Sequence, residues 1–269
     1  MVASEAATLA DVQPFPVWNT PIAWTGYILF ADGLVWYRRG SSWLTHARAE
    51  FLFLACASVP LWLIFELYNA HAIHNWHYVG LPESIPLRYA GYAWSFATIS
   101  PALFESGDLV SALRDRRADH NRAAPAVRHR LDATGWLSIA AGALMLIVPI
   151  VYPSQYLAAP VFLGFIFLLD PINAHVGAES LRGDFRAGRY GRLINLLAAG
   201  LMCGVLWEFW NYWAEAKWIY DVPILPRWRI FEMPVLGYGG FPAFAVECFT
   251  MYIALRHVIW RAGSRPISI

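Results

Sequence analysis

The sequence predicts an all-α integral membrane protein: seven transmembrane helices in two parallel three-helix repeats joined by a linker helix, N-terminus out and C-terminus in. Three observations predict it: an apolar composition, an internal duplication and a one-sided distribution of arginine. Hydrophobic residues are 58% of the 269, charged ones 14%, and the mean hydropathy is +0.41. A soluble domain of that make-up would lack the polar surface to cover itself.

The duplication is read from aligned motifs. Gly26-Tyr-Ile-Leu-Phe-Ala-Asp32 recurs 138 residues on as Gly164-Phe-Ile-Phe-Leu-Leu-Asp170, and Glu66-Leu-Tyr-Asn69 recurs 142 residues on as Glu208-Phe-Trp-Asn211. Trp76-His-Tyr78 matches Trp218-Ile-Tyr220, and Pro101 followed by Glu105 matches Pro242 followed by Glu247. Ionisable residues in apolar spans are costly, so acids repeated in both copies point to function.

Each element follows in order, given that a bilayer core takes about 20 apolar residues per helix. The first span, 20–38, carries Asp32 and runs into Arg38 and Arg39. The second, 50–70, ends in Glu66 and Asn69, which share a helix face and can present a carboxyl and an amide to one ligand. An outer loop, 71–88, holds Trp76, Tyr78, Pro82 and Pro86. In the third span, 89–113, Pro101 bends the helix one turn before Glu105, and Asp108, lacking an acidic counterpart, is expected at the interface. Residues 114–132 are rich in Arg and Asp and read as a solvated linker. The fourth span, 133–152, has no counterpart.

The fifth span, 156–175, carries Asp170, and the sixth, 193–214, carries Glu208 and Asn211. A second outer loop, 215–230, repeats the Trp-x-Tyr pair. The seventh, 231–256, opens with two prolines and three glycines by residue 242, so a kinked or partly unwound helix is expected beside the site. One membrane domain over 1–269 results, with repeat 1 at 20–113, the linker and fourth span at 114–152, and repeat 2 at 156–256.

Orientation comes from the arginines. With the N-terminus out, 16 of the 20 basic residues fall on inner loops, leaving only Arg88, Lys217, Arg227 and Arg229 outside. No basic flank precedes residue 20, so no cleaved signal peptide is expected, and the expected location is the bacterial inner (plasma) membrane. A net charge of +1 with the cations committed to topology leaves no nucleic-acid surface. Cys56, Cys203 and Cys248 fall inside spans without metal-type spacing. His71, His74 and His77 have Trp213, Ala216 and Ile219 at the repeated positions, so no metal site is expected. The single lysine, Lys217, lies in an outer loop, which excludes a buried retinal Schiff base.

The duplicated acids form two layers: Asp32, Glu105, Asp170 and Glu247 toward the inner side, Glu66 and Glu208 toward the outer side with Asn69 and Asn211. No Lys or Arg lies inside these spans, so the carboxyls must be protonated, bonded to one another or matched to an external cation.

A three-helix unit with an acid in its second helix, then Trp-x-Tyr, then a Pro-and-acid third helix, present twice around a linker span, resembles the membrane-integral lycopene cyclases of bacteria, archaea and fungi. Glu66 with Trp76 and Tyr78, and Glu208 with Trp218 and Tyr220, carry the resemblance. Where that family has Pro-x-Glu-Glu at the start of the third helix, this chain has Pro82-Glu83 and Glu232-Met-Pro234. The resemblance implies a cofactor-independent cyclase or isomerase of carotenoid type, in which buried carboxyls protonate an isoprenoid double bond and aromatic faces steady the carbocation. Glu66 and Glu208 would then exchange the proton, while Asp32, Glu105, Asp170 and Glu247 shape the cavity floor. Asn69 and Asn211 would hold the acids, and Trp76, Tyr78, Trp218 and Tyr220 would line the substrate. The expected partner is a membrane lipid or isoprenoid substrate, with a homo-oligomer compatible. A proton- or cation-coupled transporter built from parallel three-helix repeats is the competing expectation.

Overall fold

A computed structural model describes residues 1–114 and 126–259; Arg116, Arg117, Arg122, Arg261 and Arg265 of the inner-arginine pattern lie outside the described residues. The structure is mostly helical, 76% of it, and among the described residues five helices are long and apolar enough to cross a membrane. They are α4 (Arg48–Tyr68, continued by a π-turn, Asn69–Ile73), α6 (Ala133–Val151), α7 (Ala158–Val176), α9 (Gly191–Trp213) and α10 (Gly240–Ile259). The other two expected spans are the long helices α2 (Phe15–Arg39) and α5 (Ile85–Arg114), which are less apolar. Their polar residues turn inward: Asn19, Thr20 and Asp32 of α2 and Ser106, Glu105 and Asp108 of α5 are buried.

Short helices fill the ends: α1 (Val2–Leu9), α3 (Trp43–His46) and α8 (Leu181–Arg186). Equivalent motifs place α3 and α8. Asp32 accepts from Ser42 Oγ and the Leu44 amide at 2.9 Å each, and Asp170 accepts from the Leu181 and Arg182 amides at 2.7 and 2.9 Å. Both aspartates therefore satisfy the otherwise orphaned N–H groups that open the next short helix. Asp132 caps α6, accepting from the Gly135 amide at 2.8 Å and pairing with Arg182 and Arg186 of α8. The backbone bond from Gly135 above all holds its carboxyl at about 2.

α5 and α10 lie at the centre. α5 packs on α2, α4 and α9, while α10 packs on α7, α9 and α4, and α6 covers α7. Small residues permit the close approaches: a side chain at Gly142 would meet the Leu168 amide of α7 at 2.4 Å, and one at Gly200 the Phe241 carbonyl at 2.4 Å.

Two short strands pair although they are far apart in the chain. β1 (Trp76–Val79) pairs antiparallel with β2 (Lys217–Tyr220). The register centres on His77 opposite Ile219, so Trp76 meets Tyr220 and Tyr78 meets Trp218. The seventh expected span does not begin at 231: a ribbon of β3 (Arg229–Ile230) and β4 (Met233–Pro234) and a 3-10 turn (Val235–Gly239) precede α10. Pro234, Gly237, Gly239 and Gly240 deny that stretch a continuous α-helical ladder.

Asp108 departs from its interfacial placement. It is 2% exposed, 3.4 Å from Arg39 Nη1, and accepts the Trp43 indole N–H at 2.7 Å. Arg39, one residue past the expected end of span 1, folds back to reach it.

Candidate active site

Side chains alternate along a strand, so the antiparallel register puts Trp76 and Tyr78 on the same face as Tyr220 and Trp218. That face closes a mostly apolar cavity of about 380 Å3 whose walls come from α2, α4, α5, α7, α9 and the 233–244 segment. All four Trp-x-Tyr rings line it, with Trp62, Phe96, Phe162, Trp207, Phe241 and Phe244 deeper. The rings brace one another, Trp62 against Trp76 at 6.0 Å and Phe244 at 5.5 Å, Trp207 against Phe241 at 6.3 Å.

Behind the rings stand the outer acids. Glu66 Oε1 accepts from the Tyr78 hydroxyl at 2.5 Å, the Trp62 indole at 2.9 Å and the Trp76 indole at 3.2 Å. Glu208 Oε1 accepts from the Tyr220 hydroxyl at 2.9 Å, and Tyr220 in turn accepts the Trp218 indole at 2.9 Å. The carboxyl-to-phenol step spans 12 residues in each half. Burial first, then the adjacent carboxyl, pushes both phenols well above their ordinary value, so each keeps its proton and donates it.

The two carboxyl–phenol units differ in their indole donors: Trp76 donates to Glu66 itself whereas Trp218 donates to Tyr220, and the Trp62 donor has no counterpart. Trp62, a donor to Glu66, occupies the position that is Gly204 in the second half, 142 residues on, and there the Phe241 ring fills the space: a side chain at Gly204 would meet it at 2.2 Å. Phe241, in the first turn of α10, thus substitutes a ring without a donor, and Glu208 Oε2 is buried with no hydrogen-bond partner among the described residues.

Asn69 and Asn211 lie outside the lining and hold backbone. The Asn69 amide accepts from the Asn75 and Trp76 N–H groups at 2.7 and 3.1 Å and donates to the Trp76 carbonyl at 2.8 Å. Asn211 accepts from Trp218 N–H at 2.9 Å and donates to its carbonyl at 2.8 Å. Both thus fix the first ring of each Trp-x-Tyr strand, seven residues on. Asn211→Leu is expected to leave two backbone groups unpaired and to cost about 1–3 kcal/mol, and Asn69→Leu, orphaning three, more. Thermal unfolding in detergent checks the order, with faster amide exchange at Trp218 or Trp76.

The inner acids are not brought to the cavity. Asp32 and Asp170 cap α3 and α8 as above. Glu247 is fully buried, accepting the Phe165 amide at 3.0 Å, and Glu105 is fully buried near Asp32 and Asp108. Sequence reasoning missed Trp62, Trp207, Phe162 and Phe244 as lining. Trp62 stands one turn before Glu66 and Trp207 directly before Glu208, which is the signal that could have found them. It also missed a buried ionic cluster at the opposite end, where Arg192 and Arg256 meet Glu50, Glu179 and Asp184.

No protein-family model, curated protein or solved structure matches the chain.

Proposed function

We propose that this chain is an intramembrane enzyme that moves protons on an isoprenoid or related lipid, of cyclase or isomerase type and similar in chemistry to the lycopene cyclases. The carrying observation is the pair of matched carboxyl–phenol units, Glu66–Tyr78 and Glu208–Tyr220, behind one aromatic cavity. In the proposed layout the seven long helices span the membrane N-out and C-in as two parallel repeats about α6. Three features support it: the β1–β2 register, centred on equivalent residues; the matching Asp-to-short-helix caps; and the matching Asn clamps.

In this reaction one unit, its carboxyl protonated, passes a proton through its phenol to a substrate double bond, forming a C–H bond and a carbocation. The Trp faces of the lining stabilise that cation. Ring closure or a shift relocates the charge, and loss of a proton from a neighbouring carbon to the second unit restores a double bond. One proton enters and one leaves, so no redox partner is required. Glu208, whose carboxylate has fewer donors to stabilise it, holds its proton and serves as the donor unit, and Glu66, whose carboxylate takes three, serves as the ionised acceptor. A coupled transporter would need its acids along one path, whereas Asp32 and Asp170 are committed to capping.

Lipid extraction and mass spectrometry on protein purified from a polyene-producing host test this. A co-purifying polyene or prenyl lipid that vanishes when Trp76 and Trp218 are both changed to Ala supports the reading. Only bulk phospholipid, unchanged in that variant, would sink it.

A further inference from the structure

We propose that the cavity takes a single-chain isoprenoid carrying a phosphate headgroup, with the chain among the rings and the phosphate on Arg88, Lys217 alongside. This rests on the reading of the cavity as an isoprenoid site and narrows its substrate class.

Charge complementarity carries the proposal. Among the described residues that line the cavity, two are cationic, Arg88 and Lys217, and none is acidic. Lys217 is partly satisfied, 2.9 Å from Glu232 Oε1 and 3.3 Å from the Tyr212 carbonyl. Arg88 donates through Nε to the Pro82 carbonyl at 3.1 Å, which anchors the guanidinium at the lining; no carboxylate pairs with it among the described residues. An anchored guanidinium with its terminal N–H groups free presents the fork that fits phosphate oxygens.

Two further points bear on the ligand. Both cations belong to the four that the proposed orientation places on the outer side, where the positive-inside bias disfavours them, so their position at the cavity calls for another cause. At about 380 Å3 the cavity lies near the small end of ligand pockets, which run from about 300 to 1,000 Å3. That volume suits part of one chain rather than the two of a phospholipid.

The test compares four probes on the full chain in detergent, read by quenching of tryptophan fluorescence: geranylgeranyl monophosphate, geranylgeraniol, palmitate and inorganic phosphate. The prenyl phosphate should bind at least about 10-fold tighter than the alcohol, the scale of a charge-assisted hydrogen bond. Arg88→Gln should erase that advantage and leave alcohol binding unchanged, which also shows the variant is folded; Arg88→Lys should keep part of it. Inorganic phosphate alone should not bind measurably. Equal binding of phosphate and alcohol in the wild type overturns the headgroup assignment and leaves the isoprenoid reading standing, as does an advantage that survives Arg88→Gln. Tighter binding of palmitate than of prenyl phosphate overturns it in favour of a fatty acid. If neither prenyl probe binds, both readings fail together.

Discussion

Glu208→Gln is expected to lower turnover of the isoprenoid substrate by about 100-fold to 10,000-fold, the usual contribution of a positioned acid or base, while leaving the protein folded. Glutamine has the shape of glutamate, and its carbonyl can still accept from the Tyr220 hydroxyl, so the pocket geometry survives while the transferable proton is lost. Glu66→Gln should do the same, but its partners sharpen the contrast. Its Oε1 takes three donors, so the amide retains an anchored acceptor and the fold should be disturbed least of all. Tyr220→Phe and Tyr78→Phe separate the relay from the acid: each removes the hydroxyl between carboxyl and cavity and should reproduce most of the loss. Product analysis by chromatography with unfolding curves alongside decides the matter. Full activity in both Gln variants would remove the acids from the mechanism.

Arg192→Met should produce the largest loss of stability of any single change in the chain, about 3–5 kcal/mol. The Arg192 side chain is 1% exposed, with Nη1 3.2 Å from Glu179 Oε2, Nε 3.2 Å from Asp184 Oδ2, and its guanidinium 4.9 Å from the Phe249 ring centre. These contacts lie at ion-pair distance without hydrogen-bond alignment, so charge neutralisation is their main contribution. Arg256 completes the cluster at 2.7 Å from Glu50 and 3.3 Å from Glu179, tying α4, α9 and α10 together. Removing one cation leaves three carboxylates, two of them buried, facing the other. A control is provided by Arg186, whose pair with Asp132 at 2.6 Å is 35% and 46% exposed. Arg186→Met should change stability by less than about 1 kcal/mol. Equal melting shifts for the two variants would show that the cluster is not a stabilising clamp.

The legibility of the site varied with the kind of signal. Trp76, Tyr78, Trp218 and Tyr220 could be singled out because each pair occurs twice, and a repeat is visible without coordinates. Their convergence could not, since the β1–β2 register joins residues 138 to 144 apart by backbone bonds that any sequence could make. Asp32 and Asp170 show the opposite failure. An acid in an apolar stretch reads as functional, yet their carboxyls bond Leu44, Leu181 and Arg182 amides, and a backbone amide has no sequence signature.

The amino-acid sequence by itself determined the helical, membrane-type class, because hydropathy acts over windows of residues and needs no neighbours to be known. It also determined the broken entry to the last helix, through Pro234 and its glycines, because backbone restriction is local. Only the tertiary structure decided which polar groups serve the cavity and which serve the scaffold. Glu66 and Glu208 face phenols while Asn69 and Asn211 turn to backbone, though each pair sits three residues apart on one helix. The role of a buried polar group is set by the partner that satisfies it, and those partners arrive from other elements of the chain.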